Sequence, residues 1–241
     1  GKSTVTVNLA AALTQMGARV GILDADIYGP SIPQLLGSKA QVQCKGDKYL
    51  PIKAHGIQAM SIGYLTEQAM PLIWRGPMLA KSMIQLLDTT LWDDLDYLLI
   101  DLPPGTGDIQ LSLVQKIPLT GAIIVTTPQT VATADAEKAL CMFQKTNIHV
   151  LGIVENMAEH ICSACGHTSM LFGAGGAKAL AETHQVAQLG QLPLQAEIRE
   201  NADTGTPTYA PAFDAIAQTV EKALSARPLN YADKFPPIVV E

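Results

Sequence analysis

Phosphate chemistry is offered at the very start of the chain, where Gly1-Lys2-Ser3-Thr4 runs directly into the helical pattern VTVNLAAALTQMG. This reads as the back half of a phosphate-binding loop, G-x-x-x-x-G-K-[ST], entering its helix. In such a loop backbone N–H groups cradle phosphate oxygens, a lysine (here Lys2) reaches the β- and γ-phosphates, and a hydroxyl (here Ser3) holds Mg²⁺. A bare GKST also occurs at ordinary exposed helix starts, so the rest of the chain has to support it. Asp101 ends the apolar run YLLID immediately before PPGTGD, a loop closed by Asp108. An acid at a strand end suits a carboxylate that holds Mg²⁺ through water, followed by a loop that senses the γ-phosphate; the simpler alternative is a turn cap. Asp24 and Asp26, at the end of ARVGILDAD, could orient an attacking water or serve ordinary turn chemistry.

Thiol chemistry is offered by Cys162-Ser-Ala-Cys165-Gly. Two thiolates at this spacing grip one side of a metal, whereas a tetrahedral zinc site or a cubane cluster needs four ligands. His160 and His167 flank the pair and could complete a zinc knuckle; alternatively, a two-fold dimer would bring two pairs together as four thiolates. A thioredoxin-type redox pair fits less well, because there the motif opens a helix and here Gly166-His167-Thr168 continues a loop. Cys141 reads as a small core residue of a helix, and Cys44 as part of an insertion.

The elements that must position these groups alternate between apolar runs and helical patterns, the signature of a mostly parallel sheet with helices on both faces. Strands are predicted at 18–26, 97–101, 121–127, 149–156 and 186–193. Helices are predicted after Gly1, from Pro77 to Thr90, over 130–146, around 175–184 and near 212–226. Residues 41–62 read as a short antiparallel insertion with a turn at Lys45-Gly46-Asp47. Arg75, in WRGPM, is either a solvated turn residue or a dimer or phosphate contact.

Composition narrows the function. With 241 residues, 48% hydrophobic and 16% charged, one substantial α/β core is expected. A net charge of −6 without a local Lys/Arg cluster argues against nucleic acid as a partner. No apolar run approaches the length of a membrane span, and the four cysteines make no disulfide framework, which fits a reducing cytoplasm.

Taken in order, GKST, GILDADIYGPSIP, WRGPM, YLLIDLPPGTGDIQL, VTTPQ, GIVENM, HICSACGH, FGAGGAKALAE, LGQLPL and IRENADTGTP resemble the Mrp/ApbC-type iron–sulfur cluster carrier ATPases. These belong to the deviant-Walker-A P-loop NTPase group, with MinD, the partition ATPases and the nitrogenase iron protein. The resemblance covers residues 1 to about 210. It implies slow ATP hydrolysis with Mg²⁺, a nucleotide-sandwich homodimer, and a [4Fe–4S] cluster taken from scaffold donors and handed to apo-protein acceptors. Carried over by motif, Gly1, Lys2, Ser3 and Thr4 bind phosphate and Mg²⁺, Asp26 orients water and Asp101 is the Walker B acid. Asn156 reads adenine, and Cys162 and Cys165 ligate the cluster. Two features depart from the family pattern: the signature lysine at the start of the loop is missing, and so is the extra N-terminal domain of many bacterial members. The expectation is an ATPase domain over 1–226, cut within its phosphate loop, and a tail over 227–241. Two rival readings are a MinD- or partition-type spatial-organising ATPase and a zinc-stabilised nucleotide switch. The first lacks a basic amphipathic C-terminal helix here.

Overall fold

Among the described residues six strands run parallel within their sheets, and each ends on a polar residue. In the computed structural model, which describes residues 1–65 and 76–227, the order of elements begins with α1 (Lys2–Gln15), β1 (Val20–Asp24), α2 (Ile32–Leu35), β2 (Gln43–Lys45), β3 (Lys48–Leu50), β4 (Ile52–Ala54) and β5 (Ile57–Ser61). It continues with α3 (Gly76–Thr89), β6 (Tyr97–Asp101), α4 (Asp108–Lys116), β7 (Ala122–Thr126), α5 (Thr130–Lys145) and β8 (Val150–Glu155). The last elements are β9 (His160–Ile161), β10 (Thr168–Ser169), α6 (Gly176–His184), β11 (Gln188–Gln191), α7 (Ala196–Thr204) and α8 (Pro211–Ser225).

Two sheets carry the parallel strands, in the orders β4-β5-β1-β6 and β11-β8-β7. Register aligns their carboxyl ends: Ser61 with Asp24 and Asp24 with Asp101 in one sheet, Thr126 with Glu155 and Glu155 with Gln191 in the other. Side chains alternate along each strand, so both faces must be covered. Ile22 and Val154 pack with α1 and α8, while Leu23 joins the cluster of Met83 and Leu113 and Ile153 joins that of Leu140 and Leu180. The expected helices on both faces are therefore present.

Helix α1 is apolar around most of its circumference, as befits a helix enclosed on several sides. Val5, Val7 and Leu9 through Leu13 are all buried, and the helix packs in one cluster with Leu99 of β6 and with Ile123 and Val125 of β7. It thus lies across both sheets. Among the described residues neither β6 nor β7 has a strand partner on its second edge.

Three expectations need correction. Ile57–Ser61 does not belong to an insertion; it is a fully buried strand pairing in parallel with β1, and within 41–62 the antiparallel pairings are those of β2 with β3 and of the edge strand β4 with β5. Residues 97–100 are half-buried rather than buried, because β6 ends its sheet. Residues 160–169 form not an open loop but a two-stranded antiparallel hairpin. Helix α7 was not anticipated. It ends at Gly205 (φ +74°), which presses on Gly37 of the α2 turn so closely that a Cβ on Gly205 would lie 2.1 Å from the Gly37 Cα. Arg75 and residues 228–241 lie outside the described residues.

Candidate functional site

The site grows from the start of α1. Its first N–H groups have no partners within the helix, and the helix dipole makes this end attractive to anions. No acidic side chain of the first turn competes for that end. Gly1 is required here by space: a Cβ on it would meet the Asn156 amide nitrogen at 2.3 Å. Lys2 reaches across to β6, where its ammonium lies 2.5 Å from Asp101 Oδ1. Thr6, one helical turn on, donates its hydroxyl to the same oxygen at 3.1 Å. Ser3 and Thr4 stand in the same first turn of the helix.

Asp101 is buried, and its second oxygen, Oδ2, has no hydrogen-bond partner among the described residues. A buried carboxylate oxygen left open next to a helix start fits a hydrated divalent cation. Asp101 and Ser3 are the residues that would hold Mg²⁺.

Asp24, fully buried beside Asp101, accepts hydrogen bonds from Ser61 Oγ at 3.0 Å, the Ile32 amide at 3.2 Å and the Asp26 amide at 3.1 Å. Burial, and secondly the negative charge of Asp101, push its carboxyl up to about 7. The carboxylate grips both ends of the loop that carries Asp26. Asp26 itself bonds within that loop, accepting from the Gly29 amide at 3.3 Å. On the far side of Asp101, the loop over 102–107 is closed by Gln110, whose side-chain amide donates to the Pro103 carbonyl.

Asn156 follows β8 directly. Its backbone N–H donates to the Thr126 carbonyl at 2.7 Å, and its Oδ1 accepts from the Met157 amide at 2.9 Å. The structure therefore brings Gly1, Lys2, Asp101 and Asn156 together, with Asp24 adjoining and Asp26 on the neighbouring loop. Open grooves of about 340 and 670 Å³ surround Lys53 and Asp93, and none of these strand-end residues lines them.

The cysteine pair lies on a separate hairpin. The Cys162 N–H donates to the His167 carbonyl at 2.9 Å, and the Gly166 N–H closes the turn on the Cys162 carbonyl at 2.8 Å. The backbone N–H groups of Ala164 and Cys165, and then the Cys165 thiol, hold the Cys162 thiol below its ordinary pKa. That is a thiol prepared to act as a thiolate ligand. Cys165 is exposed, as is Ile161 beside the pair. Among the described residues, no group of three or more His, Cys, Asp or Glu side chains converges on one metal position, so His160 and His167 do not complete a site with the pair. Cys44 is exposed on β2 and Cys141 is half-buried in α5.

Sequence reasoning missed Thr6, Ser61 and Glu155. Thr6 was signalled by its position four residues after Lys2. Glu155 carries the same signal as Asp24 and Asp101, an acid ending an apolar strand.

A helix that opens on Gly-Lys-Ser-Thr, with its lysine on a buried strand-end acid, fits a P-loop nucleotide-binding protein of the doubly covered α/β kind. The chain belongs to the NUBPL iron-transfer P-loop NTPase family of the ParA group, whose model matches residues 1–226. It is 54% identical over 236 residues to the iron-sulfur cluster carrier protein of Haemophilus influenzae, covering 97% of this chain and 62% of that protein. A nucleotide-binding protein from Archaeoglobus fulgidus, solved in complex with ADP, superposes with a TM-score of 0.76 at 37% identity, covering 88% of this chain and 84% of that one. MinD from Pyrococcus horikoshii, solved with Mg-ADP, shares the fold with a TM-score of 0.66 at 23% identity over 94% of this chain and 92% of its own. The chain spans about three fifths of the length of its Haemophilus influenzae and Escherichia coli relatives, at 62% and 57%. No helix among the described residues is long and apolar enough to cross a membrane.

Proposed function

We propose that this protein is an ATP-dependent iron–sulfur cluster carrier that holds its cargo between two copies of the chain and passes it to apo-proteins. One observation carries the reading: a Gly-Lys-Ser-Thr helix start facing a buried acid and a hairpin with two free cysteines share one chain, and among the described residues the two thiols have no further ligand. Four thiolates, two from each protomer, satisfy the ligand count of a [4Fe–4S] cargo.

In this reading Gly1, Lys2, Ser3 and Thr4 take the phosphates of ATP. Lys2 would exchange its bond to Asp101 for phosphate oxygens, leaving Asp101, with Ser3, to hold Mg²⁺. The cation supplies charge neutralisation of the phosphates when bound. Asp24 holds the loop that presents Asp26 to the attacking water, and Asn156 contacts the adenine. Hydrolysis is slow and serves as a switch.

The packing of the first helix supports a further part of the proposal. Helix α1 lies across both sheets, against Leu99 of β6 and Ile123 and Val125 of β7, and ties them into one ATPase domain over 1–226. Cluster donors and apo-protein acceptors are the partners, and four free cysteines favour a reducing compartment such as the cytoplasm. The test is transfer: anaerobically loaded protein is mixed with an apo-protein that gains absorbance or activity on receiving a [4Fe–4S] cluster. Recovery of the acceptor is expected from the parent and not from Cys162→Ala. Equal recovery from both would contradict the proposal.

A further inference from the structure

Glu155 takes no part in the mechanism above, yet it is one of the most enclosed charged groups of the chain, 1% exposed at the end of β8. A buried carboxylate persists only where donors meet it. Its Oε1 accepts from the backbone N–H of Ala177, in the first turn of α6, at 2.9 Å. Its Oε2 accepts from the side-chain amide of Gln191, at the end of β11, at 2.6 Å. The negative charge at the amino end of α6 is also favourable to the helix dipole.

The topology gives these bonds their meaning. After Glu155 the chain leaves the sheet, and at Ala177, in α6, it packs back into the cluster of Ile153 of β8; residues 156–176 form a single excursion that carries Cys162 and Cys165. Glu155 is one end of the excursion and its carboxylate holds the other. Backbone bonds extend the same base, from the Ala158 N–H to the Leu192 carbonyl at 2.9 Å and from the Leu194 N–H to the Glu159 carbonyl at 2.7 Å. The first residue of the excursion, Asn156, is the one that packs on Gly1 at the phosphate-binding helix start.

We propose that Glu155 is a positioning residue for the cysteine hairpin: it clamps β8, α6 and β11 at the base of residues 156–176 and so fixes the two thiols relative to the start of α1. The inference rests on the carrier reading. It adds the route by which a displacement of Asn156 on nucleotide binding is delivered to the hairpin instead of being absorbed by a loose loop. Without the clamp the two ends of the excursion lose their direct link, and its thiols are held less firmly relative to the start of α1.

The test compares the parent with Glu155→Ala, Glu155→Gln and Gln191→Ala. Three quantities are read: cluster loss to an iron chelator after anaerobic loading, affinity for a fluorescent ATP analogue, and amide hydrogen exchange over 160–175 in the metal-free protein. Glu155→Ala leaves the Ala177 N–H buried without its acceptor, so cluster loss is expected to accelerate about tenfold, with faster exchange over 160–175 and ATP affinity within about twofold of the parent. Glu155→Gln keeps an acceptor for Ala177 and, once Gln191 turns its amide, the second bond as well, so it restores behaviour within about twofold of the parent. Gln191→Ala removes an exposed partner that folding tolerates and is expected to accelerate loss by a smaller factor, about threefold. Unchanged cluster loss and exchange in both alanine variants would overturn the proposal. So would a parallel fall in ATP affinity and cluster retention, the mark of general destabilisation. A parent that takes up no iron would defeat the carrier reading itself, whereas the exchange measurement on metal-free protein judges the clamp separately.

Discussion

Asp24 and Asp101 end neighbouring parallel strands as register partners, both are buried, and they are held in opposite ways: Asp101 by the Lys2 ammonium, Asp24 by a hydroxyl and two backbone amides. Burial and the neighbouring charge raise Asp24 to about 7 from the ordinary 3.8.

A pH dependence follows from that difference. The folded protein keeps a proton on Asp24 that the unfolded chain releases, so the group's contribution to stability is complete below about pH 3.8 and is lost as pH rises through about 7. In nucleotide-free protein without Mg²⁺, the stability advantage of the parent over Asp24→Asn is expected to shrink between pH 4.5 and 7.5, by on the order of 3 kcal/mol at most. Urea unfolding of both proteins across that range measures it. Parallel pH profiles would show that Asp24 ionises normally.

Lys2→Ala removes the cation that faces both Asp101 and the incoming phosphates. Affinity for an ATP analogue should fall at least about tenfold, since a charge-assisted bond to phosphate is lost and Asp101 is left unneutralised. Equilibrium fluorescence titration gives the answer, and equal affinity in the two proteins would remove Lys2 from the site.

Asp26→Asn should leave nucleotide affinity within about twofold while slowing turnover by about a hundredfold, because a group that orients water acts mainly in the transition state. Single-turnover hydrolysis separates the two effects. An unchanged rate would assign the role elsewhere on the 25–31 loop.

Gly205→Ala tests the packing of α7 on the α2 turn. The substitution puts a Cβ against the Gly37 backbone at a left-handed position, so a loss of about 1–3 kcal/mol is expected in chemical denaturation. A loss below about 0.5 kcal/mol would mean that the contact yields freely.

Much of this architecture was legible because apolar strands ending in acids and a glycine-led helix start are local signals. GKST, YLLID and ILDAD each announce both an element and a place in it. What stayed hidden depended on tertiary partners. Strand β5 carries Gln58, whose side chain is buried only because it exchanges hydrogen bonds with the backbone of Asp93, at 2.8 Å each way. A polar residue at its second position disguised a core strand as an insertion. Helix α7 buries no residue, so it offers no apolar period to detect. Glu155 was read as part of a motif around Asn156, and its clamp on Ala177 spans 22 residues of sequence that only the fold brings together. That no third ligand converges on Cys162 and Cys165 among the described residues likewise depended on how the hairpin folds.

The central claim is that two chains share one cluster through Cys162 and Cys165. Anaerobic reconstitution with iron and sulfide, followed by native mass determination and counting of both elements, tests it most directly. The account predicts a dimer with about four iron and four sulfide per two chains, lost when either cysteine is changed to alanine while ATP binding persists. A monomer that holds one zinc through its own Cys162 and Cys165, and takes up neither iron nor sulfide, would contradict it.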